Sequence, residues 1–155
     1  MSPSDARAVL SWRYESPYQI YDMGEDSTEE LLDPRSPYYA VHDQRGNLVG
    51  FFSFGTAALP WDTAGPALLG DDGEVAIGLG MRPDATGGGA GLAFVRAGLD
   101  FARTAFQPAY FRLFVFSWNQ RGIRVYQRAG FHRVGTYIPP KSEAGNEFWE
   151  MRRDI

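Results

Sequence analysis

The sequence contains no cysteine and only two histidines, His42 and His132, which lie far apart along the chain. A disulfide framework and a thiolate metal site are therefore excluded, and no metal is expected. Lys141 is the only lysine among 15 basic residues, and the net charge is −4, so nucleic-acid binding is not expected either. Because the chain lacks an apolar run of about 18 residues and a secretory leader, we expect a cytoplasmic protein without membrane contact.

The chain does have enough apolar sequence for a folded domain, since 44% of its 155 residues are hydrophobic. Capping residues and apolar periodicity predict helices over residues 2–12, 27–32 and 120–129, and a further helix after a glycine-rich stretch. Strands are predicted over residues 38–42, 48–56, 74–81, 111–117, 132–138 and 148–152. This alternation predicts a single α/β domain over residues 1–155.

The glycine-rich stretch, TGGGAG at residues 86–91, joins a predicted strand to a predicted helix. This arrangement is typical of phosphate binding, because the first amides of a helix have no partner inside the helix. The spacing does not fit the dinucleotide fingerprint G-x-G-x-x-G, and the lysine of a Walker A loop is missing. A flexible turn that lets the helix pack closely on the sheet is the alternative, and the glycines alone do not decide between the two.

A second segment, NQRGIRVYQRAGF at residues 119–131, follows an apolar strand. Asn119 suits a helix N-cap, and Ile123, Tyr126 and Ala129 fall on one helical face. By itself, Tyr126 is more typical of a core tyrosine whose hydroxyl has a partner than of a catalytic residue.

In this order and at this separation, the two segments resemble those of the GNAT superfamily of acetyl-CoA-dependent N-acetyltransferases. Residues 86–91 align with its Gln/Arg-x-x-Gly-x-Gly/Ala loop, and Asn119, Tyr126, Gly130 and Phe131 align with its later motif. Residues 11–23, SWRYESPYQIYDM, are similar to the first loop of a bacterial branch, so the resemblance covers almost the whole chain. It implies an α/β fold whose mixed, mostly antiparallel central sheet is flanked by helices and contains a splayed pair of central strands. The family's first edge strand has no counterpart in this numbering.

The resemblance implies that acetyl-CoA binds at the splayed strands and on the glycine-rich turn. Backbone amides of the turn would hold the pyrophosphate. The end of the preceding strand would hydrogen-bond the pantetheine, and one amide there would polarise the thioester carbonyl. The residues implied in this binding are Leu79, Gly80, Met81, Thr86, Gly87, Gly88, Gly89, Ala90, Gly91, Leu92, Asn119 and Tyr126.

Three positions depart from the family's pattern. Thr86 stands where Gln or Arg is usual, and Gly88 stands where Lys or Arg is frequent, which removes side-chain contacts to phosphate. Gly122 replaces a common Ala, at a cost of about 1 kcal/mol in helix propensity. The cradle of backbone amides is unaffected by these changes.

The reaction that the resemblance implies is acetyl transfer to a small-molecule or peptide amine, with Tyr126 as the general acid at the sulfur. Glu74, at the start of the splayed strand, is a candidate general base. It lies about 20 Å along the strand from Gly80, so water would have to relay the proton. A solvated strand end is the alternative interpretation of Glu74.

Aromatic residues are concentrated in the two loops that flank the acceptor cleft in this fold, namely Trp12, Tyr14, Tyr18, Tyr21 and Trp61. With the carboxylates between Asp22 and Asp33, they suggest an aromatic, acidic pocket for an ammonium group. The alternative is that the aromatic residues belong to the core and that the carboxylates stabilise helix starts.

Two other functions stay open at this point. One is a non-catalytic acyl-CoA-binding or regulatory module on the same fold. The other is an unrelated phosphate binder that uses only the glycine-rich turn. A homodimer is also expected, because loss of the first strand leaves an unpaired sheet edge.

Overall fold

The computed structural model describes residues 1–140 and 146–155, so Lys141 lies outside the described part of the chain. Its helices are α1 Pro3–Ser11, α2 Thr28–Leu32, α3 Gly91–Phe106 and α4 Gln120–Arg128. Its strands are β1 Tyr38–His42, β2 Leu48–Phe54, β3 Glu74–Met81, β4 Tyr110–Phe116, β5 His132–Tyr137 and β6 Phe148–Asp154. Every predicted helix and strand is present, with ends that differ by one or two residues. Within the described ranges, no helix is both long and apolar enough to cross a membrane.

The helix starts follow from their capping residues. The Ser2 hydroxyl accepts a hydrogen bond from the Asp5 amide at 3.1 Å, and the Asp5 carboxylate accepts one from the Ser2 amide at 3.0 Å. The Ser27 hydroxyl caps α2 by accepting from the Glu30 amide at 3.2 Å. These side chains satisfy amides that have no partner inside the helix. In the described structure, α3 differs from these helices, since Ala90 offers no side-chain acceptor at its start.

The strands form one sheet in the order β1-β2-β3-β4-β6-β5. All neighbouring strands are antiparallel except β3 and β4, which are parallel. The mixed, mostly antiparallel sheet that the sequence predicts is thereby confirmed. No strand precedes α1 within the described residues, and β1 is one edge of the sheet.

The two faces of the sheet are covered differently. Neighbouring residues of a strand point to opposite faces, and Phe52 packs in the core that contains α3 and α4, whereas Phe51 packs against α1 and α2. A Cβ on Gly98 would overlap the ring of Phe52, which explains a glycine in the middle of α3. Over β4 and β5, the second face is covered by Trp61, whose ring packs against Phe114 at 4.9 Å. This loosely covered half of the second face borders the candidate site.

Candidate active site

The candidate site is the gap between β3 and β4. The strands pair only where residues 74–76 lie beside residues 110–112, and they diverge beyond that point. The amide of Arg82 donates to the carbonyl of Val49 on β2 at 2.9 Å. Because the direction of the peptide groups alternates along a strand, Gly80 also bonds to β2, and the peptides of Leu79 and Met81 face the gap. The expectation that Gly80 presents its backbone to a ligand in the gap is therefore corrected.

The glycines of β3 are explained by the neighbouring strand rather than by a ligand. A Cβ on Gly80 would overlap the ring of Phe51, and a Cβ on Gly78 would overlap the hydroxyl of Ser53. Both β2 side chains therefore occupy space that glycine leaves free. The close approach expected at these positions is between two strands of the protein.

The glycine-rich turn is open to solvent and uses backbone conformations that favour glycine. Gly87 and Gly89 have φ angles of 78° and 80°, in the left-handed region. A Cβ on Gly88 or Gly89 would meet no atom of the described structure within 4 Å. Helix packing therefore does not explain these two glycines. The free amides at the start of α3 are suited to an anion.

The side chain of Thr86 is used inside the turn. Its hydroxyl donates to the carbonyl of Pro83 at 2.7 Å, and the same proline begins a single helical turn that ends at Ala85. Thr86 thus stabilises the approach to the glycines, and its contact with acetyl-CoA stays a prediction.

A guanidinium that the sequence reasoning missed lies beside the turn. Arg121, in the first turn of α4, stands over the ring of Tyr18 at 4.1 Å. Its Nη1 lies 4.0 Å from the place of a Cβ on Gly87. It brings a positive charge to a turn whose own sequence lacks one at Thr86 and Gly88. The sequence places Arg121 at the start of α4, because it lies two residues after the cap residue Asn119. It does not show that α4 begins beside the glycine-rich turn.

Both ends of the Asn119 side-chain amide are engaged. Its Oδ1 accepts from the Gly122 amide at 2.9 Å, and its Nδ2 donates to the Tyr21 hydroxyl at 2.9 Å. A Cβ on Gly122 would lie 2.8 Å from that Nδ2, which explains why glycine replaces the alanine common in the family. The structure therefore gives Asn119 the role of positioning Tyr21, and its contact with acetyl-CoA stays a prediction.

Tyr126 lies on α4, partly buried, with its ring edge-on to Phe131 at 6.3 Å. Burial raises the pKa of Tyr126 above its ordinary value, and Tyr21 raises it further. Among the described residues, its hydroxyl has no hydrogen-bond partner. A protonated phenol without an acceptor among residues 1–140 and 146–155 is available as a donor, which is unlike a core tyrosine whose hydroxyl is satisfied.

The loop after α1 connects the two sides of the gap. The Tyr14 hydroxyl donates to the Met81 carbonyl at the end of β3 at 2.7 Å, and the Tyr14 amide donates to Asp22 at 2.9 Å. On the other side, the Tyr21 hydroxyl accepts from Asn119 after β4. Burial raises the pKa of both tyrosines to about 12. Because Tyr14 occupies the Met81 carbonyl, the Met81 amide is the group that remains for a ligand in the gap.

Three of the predicted acceptor residues lie on one surface. Tyr18 and Tyr21 pack against Trp118 at 5.7 and 6.2 Å, and Tyr21 also packs against Phe116 at 5.6 Å. Trp61 packs against Phe114 on the same face of β4. The loops that flank the gap therefore do bring these aromatic side chains together.

Trp12 is a correction to the predicted acceptor set. Its ring stacks on Phe51 at 6.4 Å and joins the cluster of Val9 and Leu31 beneath α1 and α2. It is a core residue because α1 needs an apolar surface against β2. The predicted acidic contribution is also corrected at Asp22, since that carboxylate accepts from the Tyr14 amide.

Glu74 lies at the closed end of the gap, where β3 and β4 still pair, and it faces Tyr110. Its carboxylate is 3.6 Å from Arg112, which also bonds Glu150 at 2.8 Å. This position does not suit a general base acting near Leu79, and the candidate role of Glu74 is corrected accordingly. Within residues 1–140 and 146–155, no cluster of His, Cys, Asp and Glu resembles a metal-ligand set.

Comparison with known families identifies this arrangement. The profile of the acetyltransferase (GNAT) family matches residues 5–131, which include the gap, the glycine-rich turn and α4. The chain belongs to the GNAT acetyltransferase family. The fold predicted by the resemblance is thereby confirmed, including the central sheet in which the strands around the gap diverge.

Relatives and solved structures show how widely this GNAT fold is shared. A mycothiol acetyltransferase from Acidothermus cellulolyticus is 32% identical over an alignment of 141 residues that covers 86% of this chain. The chain spans 41% of the length of that relative. A chimera of spermidine N-acetyltransferase SpeG from Vibrio cholerae and hSSAT superposes with a TM-score of 0.76 at 16% identity, covering 99% of this chain and 92% of the other. An AAC(6')-Ib structure with paromomycin and acetyl-CoA superposes with a TM-score of 0.75 at 21% identity, covering 99% of this chain and 90% of the other.

Proposed function

We propose that this GNAT member is an N-acetyltransferase that moves the acetyl group of acetyl-CoA to a primary amine by direct attack. The observation that carries the proposal is the gap between β3 and β4, which opens beside the glycine-rich turn and the uncapped start of α3. The family and the acetyl-CoA named for the AAC(6')-Ib structure support the choice of donor.

Acetyl-CoA fits the groups that surround the gap. The amides of residues 87–91 and of Leu92 would bind the pyrophosphate, because they lie at a helix start with open space before them. Arg121 would add a charge-assisted contact from the side of the turn. The peptides of Leu79 and Met81 would hold the pantetheine in the way that a sheet edge holds an added strand.

Acetyl-CoA supplies a thioester whose carbonyl carbon a neutral amine attacks. The amide of Leu79 or Met81 would donate to the carbonyl oxygen as negative charge develops there. Tyr126 would give its proton to the sulfur as the carbon–sulfur bond breaks. Burial keeps its pKa above the ordinary value, so the proton is present at neutral pH. The proton of the attacking amine would leave through water, since Glu74 lies at the other end of β3.

The proposal is tested by incubating the purified protein with acetyl-CoA and a panel of primary amines. The panel contains hexylamine, phenethylamine, spermidine, paromomycin and a peptide with a free N-terminus. We expect release of the CoA thiol and an acetylated product, seen by mass spectrometry, with at least one of them. A reaction without amine controls for hydrolysis.

The same protein distinguishes the two alternatives. Tight binding of CoA without acetylation of any amine would favour a non-catalytic acyl-CoA-binding module. Displacement of CoA by ATP at similar concentrations would favour a general phosphate binder that uses only the turn and the start of α3.

A further inference from the structure

A row of aromatic side chains runs along β4 on the face that α3 and α4 do not cover. Phe116 and Phe114 point to this face, and the rings of Tyr21, Phe148, Trp61 and Tyr137 pack against them at 4.2 to 6.3 Å. Phe116 lies at the open end of the gap. We call these six residues the aromatic row.

A cluster of three charged side chains lies at one end of the aromatic row. Arg112, two residues before Phe114 on the same face of β4, has its guanidinium 5.0 Å from the Phe114 ring and 5.5 Å from the Trp61 ring. It bonds Glu150 and lies beside Glu74, so two carboxylates share one cation. The three side chains are mostly buried, with exposed fractions of 24% for Arg112, 16% for Glu74 and 28% for Glu150. Two carboxylates and one guanidinium give these three side chains a formal charge of −1, and Arg152 lies opposite Arg112 on β6.

One carboxylate oxygen of this cluster has no donor. The Oε2 of Glu74 is buried and has no hydrogen-bond partner within the described residues. A buried acceptor that lacks a donor destabilises the fold, because it has lost its hydrogen bonds to water without replacement. Beside it lies a cavity of about 70 Å³ under the loop after β2, lined by Thr56, Leu59, Leu68, Gly70, Glu74 and Arg112. A Cβ on Gly70 would overlap the Glu74 carboxylate, so this glycine leaves the space that the carboxylate occupies.

We propose that the acceptor is a linear diamine whose second ammonium group binds at this cavity and donates to Glu74. The inference rests on the proposed function, because the first amino group must lie at the open end of the gap, beside Phe116. The aromatic row would contact the alkyl chain between the two amino groups. The Arg112 guanidinium lies over the rings of Trp61 and Phe114, and aromatic faces of this kind attract cations.

The length of the acceptor follows from the strand. Phe116 and Arg112 are separated by four residues, or about 13 Å at about 3.3 Å each, which is the reach of an extended alkyl chain of about ten carbons. A diamine of this length would place one nitrogen near the thioester and the other near Glu74. A four-carbon diamine is too short to reach both.

The test compares decylamine with decamethylenediamine, which share the same alkyl chain and differ in the second amino group. We expect kcat/KM for the diamine to exceed that for decylamine at least tenfold, and tetramethylenediamine to gain no such advantage. In Glu74→Gln the tenfold ratio should collapse, and in Glu74→Asp, which keeps the charge, it should be partly retained. Asp100→Asn, which removes an exposed carboxylate on α3, should keep the ratio. Equal rates for decylamine and the diamine, or an unchanged ratio in Glu74→Gln, would overturn the inference.

Binding provides a readout that does not depend on turnover. Tryptophan fluorescence of the protein, titrated with each amine, should report at least tenfold tighter binding of decamethylenediamine, and Glu74→Gln should remove this difference. A diamine that binds in this way without being acetylated would contradict the proposed function and leave the diamine site standing. If both amines are acetylated but bind with equal affinity, the diamine site is contradicted and the proposed function stands.

Discussion

At the scale of single residues, Tyr126 combines a buried ring with a hydroxyl that is not engaged by the described part of the protein. A tyrosine needed only for packing would contribute through its ring. A tyrosine that protonates the thiolate contributes through its hydroxyl. The two roles are separable because phenylalanine keeps the ring and removes only the oxygen.

In Tyr126→Phe, we expect kcat to fall by roughly 10²–10⁴, the usual contribution of general acid–base catalysis. KM for acetyl-CoA should change little, since the lost interaction belongs to the transition state. The melting temperature should stay near that of the wild type. Steady-state kinetics and thermal unfolding on the same preparation check this.

Tyr39→Phe is the matched control, because Tyr39 packs on Phe54 and Phe101, away from the gap. It should leave kcat unchanged. A destabilised Tyr126→Phe protein with normal turnover would assign Tyr126 to the core and remove it from the mechanism.

Gly122 is the second informative residue, because a helix-favouring substitution there conflicts with the site. Gly122→Ala should favour α4 by up to about 1 kcal/mol, yet the new Cβ would press on Asn119 and displace its bond to Tyr21. Strain at the Asn119 cap opposes this gain, so we expect stability close to that of the wild type and a severalfold lower kcat/KM for the amine. Thermal unfolding and amine kinetics measure the two effects.

A double-mutant cycle with Tyr21→Phe tests whether the decrease in kcat/KM in Gly122→Ala is caused by displacement of Tyr21. If Asn119 acts by positioning the Tyr21 hydroxyl, the kinetic effects of Gly122→Ala and Tyr21→Phe should not add. Additive effects would show that Gly122 and Tyr21 act independently.

At the scale of elements, the glycine-rich turn and α3 act as one unit for binding an anion. Gly88 is the position that tests this unit most directly. Its φ angle lies outside the left-handed region, and a Cβ there meets only open space. Gly89 is less suitable, because its φ of 80° would strain a β-branched residue.

Gly88→Val should weaken CoA binding by more than tenfold, since its methyl groups would occupy the space in front of the amides. Calorimetric titration with CoA measures the affinity. Gly65→Val is the matched control, because a Cβ on Gly65 would also meet no described atom within 4 Å and Gly65 lies in another loop. Equal CoA affinity in the wild type and both variants would exclude the turn as the pyrophosphate site.

At the scale of the whole molecule, the sheet edges do not favour the pairing of two copies. The ladder of β1 has an irregularity at Val41 and His42, and that of β5 has one between Arg133 and Gly135. Such bulges at edge strands disfavour edge-to-edge extension. If the expected homodimer forms, a helix surface is the better candidate. Phe101 on α3 is 42% exposed and extends the aromatic cluster of Tyr39 and Phe54.

We therefore predict a homodimer that involves Phe101. Light scattering should give the mass of a dimer for the wild type and of a monomer for Phe101→Glu, because the substitution places a charge in the contact. Arg103→Glu, a charge change on the exposed face of the same helix, should remain dimeric. A wild-type monomer at high concentration would refute the prediction.

The sequence by itself determined the elements and the glycine-rich turn, because caps, apolar periodicity and turn residues act over a few residues. Ser2 with Asp5, and Asn119 with Gly122, form the hydrogen bonds that their spacing predicts. The resemblance to GNAT members could be read from the same local features, and with it the mixed, mostly antiparallel sheet with its splayed pair of central strands.

Only the tertiary structure decided which side chains meet across that sheet. Trp12 and Trp61 both occur in aromatic loops, but α1 needs Trp12 for its packing on Phe51, whereas Trp61 remains over β4. Arg121 reaches the turn at Gly87 because α4 begins next to α3. Such pairings join residues that are distant in the chain, and their energies depend on how the helices and strands pack. No pattern of a few neighbouring residues encodes that packing.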